Sequence, residues 1–121
     1  MEIAYWIVSG LLALFYLYSG GMKMVRSQAQ LAPMMAWAGT AVPMAGVRAI
    51  GVAEVLGALG LILPPLTGIA PVLAVAAAAG LTILQVLGAG FHLSRGERKD
   101  VWLNLVLAAV AAIVTWLAVA L

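Results

Sequence analysis

The sequence predicts an all-α membrane protein, a four-transmembrane-helix bundle with a short interfacial segment between its first and second spans. Three observations carry this prediction. The 121 residues are 66% hydrophobic and only 8% charged, with a mean hydropathy of +1.18, whereas a soluble domain of this size needs a largely polar surface. The apolar residues fall into four runs, roughly 3–22, 44–63, 68–91 and 101–120. Each run is about 20 residues, which at ~1.5 Å rise per residue matches the ~30 Å hydrocarbon core. Finally, all six basic residues, Lys23, Arg26, Arg48, Arg95, Arg98 and Lys99, belong to the side holding the 23–43 and 92–100 loops. Both loops are short, so the positive-inside rule places them in the cytoplasm and both termini outside.

The first run opens with Glu2 rather than a basic segment and ends in "YLYSGGMK" without a small-residue cleavage pattern, so it reads as a span and not a signal peptide. Tyr5 and Trp6 pair with Trp116 as an outer aromatic belt, and Tyr18, Phe91 and Trp102 mark the inner boundary. In the following segment, "SQAQ" offers Ser27 as an N-cap with Gln30 three residues on, a capping box. Pro33 suits the first turn of a helix over "PMMAWA". With Met34, Met35 and Trp37 that stretch either lies on the inner membrane surface or tucks against the bundle as an ordinary loop. The second run ends at the two prolines of "LPPLTG", which are expected to stop its helix. Small residues, Ala53 with Gly57 and Gly88 with Gly80 or Gly90, are expected packing surfaces. On the fourth run Asn104, Ala108, Ala111 and Thr115 share one face, leaving Val106, Leu107, Val110, Ile113, Val114 and Leu117 toward lipid. A faint likeness between the two hairpins falls short of a repeat, and the chain reads as a single domain over residues 1–121.

Every span carries a thin polar stripe. Tyr16, Ser19, Gly20 and Lys23 share a face of the first, Glu54 lies on the second, Gln85 and His92 share a face of the third, and Asn104 begins the fourth. All the strongly polar groups are expected in the cytoplasmic half, with Leu, Val, Ile, Ala and Gly filling the outer half. An ionised Glu54 costs at least ~2.5–3.5 kcal/mol at that depth, so it needs a partner, a proton or water. Lys23 is the expected partner. Arg48, about 120° round the helix from Glu54, is expected to snorkel to the lipid interface, or to turn inward if the helix starts irregularly after Pro43. The competing reading is polar glue between helices, at ~0.6 kcal/mol per hydrogen bond.

Several chemistries are unsupported. There are no cysteines, so disulfides, thiolate sites and Fe–S clusters are absent. One intramembrane His and one Glu fall short of a metal ligand set, so no metal is expected. A single His cannot supply paired haem ligands. Neither a Ser/His/Asp constellation nor a phosphate loop is present, and nothing points to nucleic acid.

"YLYSGGMKM", "VRAIGVAEVLGALGLILPPLTGIAP" and "HLSRGE" ahead of "NLVLAAVA" together resemble the DoxX-like family of small four-helix membrane proteins, over nearly the whole chain. The Gly51, Glu54, Gly57 core, with Arg48 before it and Pro64 after it, is the most specific part. The resemblance implies that the family's polar positions fall on Lys23, Arg48, Glu54, His92 and Asn104, and that the chain sits in a bacterial cytoplasmic (inner) membrane. Members are tied to quinone-linked oxidoreductases as small membrane subunits, or to other membrane complexes. The wider superfamily includes sterol-binding and isomerising proteins and receptor-assembly chaperones.

The leading expectation is therefore a pocket formed by Lys23, Glu54, Gln85, His92, Asn104, Ser19 and Arg48, binding a quinone- or lipid-like amphiphile within a non-catalytic subunit. No covalently bound cofactor is expected, and a quinone is the candidate ligand. The alternative is an assembly partner or homo-oligomer that uses its Gly/Ala faces and the Met-rich 24–44 segment as contact surface. A proton-coupled transporter ranks below both, because a basic residue paired with Glu54 opposes cation binding. Enzymatic activity by this chain alone has the least support.

Overall fold

A computed structural model describes residues 2–68 and 72–120. Four long helices, α1 (Glu2–Val25), α3 (Met44–Thr67), α4 (Val72–Ser94) and α5 (Arg98–Val119), are each long and apolar enough to cross a membrane. A single turn, α2 (Gln28–Leu31), follows α1. The predicted third span, 68–91, includes residues 69–71, which lie outside the described residues. The helices surround one axis in the order α1, α3, α4, α5, with the α1–α3 and α4–α5 pairs packing most extensively and α1–α5 least. Less than half of each span is buried within the bundle, and its outward faces are mostly Leu, Val and Ile, with Tyr18, Trp102 and Trp116 exposed toward the span ends, as expected of a protein whose remaining surface is covered by lipid.

The two hairpins are built differently at close range. On α1 and α3, Gly20 and Gly51 cross so closely that a Cβ on either would lie 2.7 Å from the other's carbonyl oxygen. Only glycine lets the two backbones meet there. Between α3 and α4, Leu81 fills the space above Gly57 and Ala77 that above Gly60. Gly80 and Gly90, expected in packing, instead face open space. The last turn of α4 meets the first of α5 so directly that Arg98, Lys99 and Asp100, read as loop, belong to α5.

The prolines do not stop the second span. Pro64 and Pro65 lie inside α3, which continues to Thr67 and closes on Gly68 in the left-handed conformation (φ 72°), its N–H donating to the Pro64 carbonyl. Pro65 has no N–H to give the carbonyl four residues back, that of Leu61. The Tyr5 hydroxyl donates to that oxygen instead, at 2.5 Å. Tyr5 is therefore not an aromatic-belt residue: it is fully buried, together with Ser9 one turn further along α1. The expectation of an apolar outer half is corrected accordingly, since that half of α1 carries two buried hydroxyl side chains.

The main core, at the end carrying the termini, joins Tyr5, Leu12, Tyr16, Leu61, Ala78 and Leu81 to Val114 and Leu117. Val114 and Leu117 were expected toward lipid. On a helix apolar nearly all round, hydrophobicity alone does not mark the inner face. A second, smaller cluster at the opposite end gathers Met22, Leu31, Ala38 and Val47. There the Ser27–Gln30 capping box forms on both sides and starts α2. No helix covers "PMMAWA": Met34 and Met35 both donate to the Leu31 carbonyl, and Ala38 closes a further turn on Met35. The segment is folded over the end of the bundle, with Leu31 and Ala38 buried.

Candidate functional site

The end of the bundle carrying the basic residues holds its polar centre. Lys23, in the last turn of α1, donates to Ser19 Oγ at 2.8 Å and to Glu54 Oε1 at 2.5 Å. Both charged side chains are withdrawn from the surface, at 10% and 3% exposure. An ion pair this buried is far more costly to break than an exposed one, because either partner alone is a bare charge in a low dielectric. The Gly20–Gly51 crossing brings the two chains together, since it sets α1 against α3 within one turn of both residues.

Arg48 does not snorkel to lipid. Its guanidinium reaches back to α1 and donates to the carbonyls of Lys23 and Arg26, closing the open C-terminal end of that helix. It fixes the backbone that presents Lys23 and lines neither of the polar cavities described below.

Across the axis, Asn104 Nδ2 on α5 donates to Gln85 Oε1 on α4 at 2.7 Å. Gly88 makes room for this pair, since a Cβ there would come within 2.7 Å of the Asn104 amide. One turn nearer the loops, the buried His92 directs Nδ1 at Glu97 Oε1, 3.0 Å away, with Asp100 Oδ2 at 3.9 Å. Arg95 Nε also donates to Glu97, at 2.9 Å. The hydrogen bond from His92, reinforced by Arg95, holds the Glu97 carboxyl below its ordinary 4.5. By sequence alone, His92 lacks the companions that a metal needs. The structure supplies two, with all three donor atoms within 4.8 Å of one another. Glu97 is, however, already shared between His92 and a guanidinium, so the trio is organised as an ion-paired turn.

Two cavities adjoin at this centre. One, of about 370 Å³, reaches the α3–α4 side past Ile50, Leu84 and Leu87. The other, of about 290 Å³, reaches the α1–α5 side past Phe15, Tyr18, Leu103 and Leu107. Lys23, Glu54, Gln85, His92 and Asn104 line both. Ser19 lines the second. Five of the seven expected site residues thus meet at one place, a sixth borders it, and Arg48 stands behind it.

Trp37 also lines both cavities, its ring edge-to-face with Phe91 at 6.0 Å and His92 at 6.1 Å. Sequence reasoning left Trp37 in the loop, because no periodicity connects an irregular segment to a helix face. Tyr16 was legible on the Ser19–Lys23 stripe but was not carried into the site. It is wholly buried beside Gln85, and its hydroxyl makes no hydrogen bond of good geometry among the described residues. A third cavity, of about 570 Å³, runs between α3 and α4 and is walled, among the described residues, by Ala, Gly, Leu, Ile and Pro. It offers no side chain to a polar head.

The profile of the DoxX-like family matches residues 7–114, a span that holds the polar centre entire. No curated protein and no solved structure matches the chain.

Proposed function

The chain belongs to the DoxX-like family, and from that premise we propose that this multi-pass membrane protein binds a quinone- or lipid-like amphiphile as a non-catalytic membrane subunit. The observation behind this reading is the meeting of Lys23, Glu54, Gln85, His92 and Asn104 on the walls of two adjoining cavities. Polar glue needs pairs; it does not need space beside them. A concave site with a few convergent polar groups and apolar flanks suits a molecule with one hydrogen-bonding end and one greasy end. The polar end would meet the amides and the ion pair, and the tail would lie among Phe15, Leu103 and Leu107 or beside Leu84 and Leu87.

The same reading sets the bundle in a bacterial cytoplasmic membrane, with both termini outside and the basic loops inside. The gathering of all six basic residues at one end supports that orientation. The test is mass spectrometry of small molecules that copurify with the wild type and with Glu54→Gln. An amphiphile present in the first and lost in the second supports binding. Only bulk lipid in both leaves the polar cluster structural and overturns the proposal.

A second reading, assembly partner or homo-oligomer, is favoured by one observation: the apolar groove between α3 and α4, where the exposed Ala53, Ala76 and Gly80 leave the helix surfaces low. Small-residue surfaces of this kind accept a neighbouring helix. Replacement of Gly80 by Leu, at a position that faces open space, should then shift the assembly to smaller particles in gentle detergent while leaving the copurified amphiphile in place.

A further inference from the structure

The polar centre discriminates by charge, and its two cavities are not equivalent as routes. We infer that the site admits amphiphiles with an uncharged, carbonyl- or hydroxyl-bearing head and that they enter from the membrane between α1 and α5. This rests on the binding reading above and gives it a ligand class and a door.

The charge argument starts from what is already committed. Lys23, the one lysine on the cavity walls, is tied to Glu54 and Ser19. Arg48 is tied to two carbonyls and stands outside both cavities. The imidazole of His92 faces Glu97, and Asp100 adds a carboxylate to the α1–α5 cavity. An anionic head would find Glu54 and Asp100 with no spare cation. A cationic head would have to displace Lys23 from its partner or sit beside it. What remains unspent is neutral: beyond the Asn104–Gln85 bond, Asn104 Oδ1 makes no hydrogen bond among the described residues, and Gln85 Nε2, close to the Tyr16 hydroxyl, meets hydrogen-bond geometry with neither it nor any other described residue, while both side chains line both cavities. One is a donor and the other an acceptor, matched to a carbonyl or a hydroxyl.

The route argument compares the seams. The α1–α5 packing is the thinnest between neighbouring helices, and no side-chain hydrogen bond joins those two helices among the described residues. The seam is bordered by Tyr18 and Leu103, both exposed on the outward face, while Met34 and Met35, from the segment outside the spans, line the cavity with unbranched, adaptable side chains. On the other side, α3 and α4 are keyed together by Leu81 over Gly57 and Ala77 over Gly60. Opening the first seam separates little. Opening the second unpacks the core.

The test uses the full chain in nanodiscs with three probes of equal tail length: decylubiquinone, decyl phosphate and decyltrimethylammonium. Binding is read from quenching of intrinsic tryptophan fluorescence and from the shift in Tm. The expected result is saturable binding of decylubiquinone, with both charged probes weaker by about tenfold or more. Charged probes that bind as well or better overturn the charge assignment. For the route, Leu107→Trp, or Leu103→Trp if the first does not fold, is compared with Leu87→Trp in stopped-flow association of decylubiquinone. The α1–α5 variant should slow association more, and the reverse order overturns the route. If no probe binds and no small molecule copurifies, the binding reading itself fails. A charged amphiphile found bound, with decylubiquinone ignored, sinks only this inference.

Discussion

The α1–α3 and α4–α5 hairpins each present one polar pair to the same cavities, but the pairs differ in kind. Lys23 and Glu54 form a buried ion pair; Gln85 and Asn104 form a neutral amide pair. Each pair rests on glycine: Gly20 and Gly51 let α1 and α3 touch, and Gly88 leaves room for the Asn104 amide. The difference lies in what separation would leave behind. Parting the amides exposes dipoles that can find other partners. Parting the ions leaves a charge in a low dielectric, which has no cheap alternative. The first hairpin is thereby locked in register, while the second holds by extensive packing and a mild polar bond.

The largest expected effect breaks the lock. Lys23→Met should destabilise the bundle by about 3–5 kcal/mol, because Glu54 is stranded. The double variant Lys23→Met/Glu54→Gln should recover most of that loss in unfolding titrations from mixed micelles. A double variant no better than the single would make the pair less coupled than its geometry implies.

Next comes the crossing beneath it. In Gly51→Ala the new Cβ meets the Gly20 carbonyl at 2.7 Å, so the helices must separate, at about 1–3 kcal/mol. Gly90→Ala, facing open space, should cost nothing measurable in the same assay.

Asn104→Leu tests the other side of the comparison. Loss of the amide pair should cost about 0.6 kcal/mol, several times less than Lys23→Met. Equal costs would erase the distinction between the hairpins.

The smallest effect lies outside the membrane, at the α4–α5 turn. The Glu97 carboxyl is held below its ordinary value by His92 and Arg95. A carboxyl with a lowered folded-state value supports the fold above 4.5 and withdraws that support as pH falls through the lowered value. Hydrogen exchange of the 95–98 amides should therefore quicken as pH drops below about 4.5, after correction for intrinsic rates. Glu97→Gln should show fast exchange already at neutral pH and little further change.

The four spans and the Lys23–Glu54 pairing were legible because they rest on rules strong enough to act alone. Lipid demands about 20 apolar residues, and a buried carboxylate demands a partner. What escaped the sequence depended on neighbours. Tyr5 read as a belt residue because its use is set by a carbonyl on α3 that Pro65 leaves open. Val114 and Leu117 read as lipid-facing because solvent hydrocarbon and protein core select the same side chains. Arg48 was misplaced because its target is backbone rather than charge: the carbonyls of Lys23 and Arg26, which the end of α1 leaves open. In the candidate site, the charged and amide members could be named from depth and face. Trp37 could not, since only the fold of the 32–42 segment brings it over His92.

The 31-residue separation between Lys23 and Glu54 also orders events during biogenesis. The lysine emerges from the ribosome a loop and half a span ahead of its counterion, at the end of α1 where it can rest among headgroups. Glu54 arrives later, in mid-span, and its passage into hydrocarbon is cheap only when a cation is already waiting. The dependence runs one way, since α3 gains from finding α1 already in the bilayer. A chain interrupted between them would leave α1 in place, whereas one that lost its first span would bring Glu54 into the bilayer with no lysine to meet it.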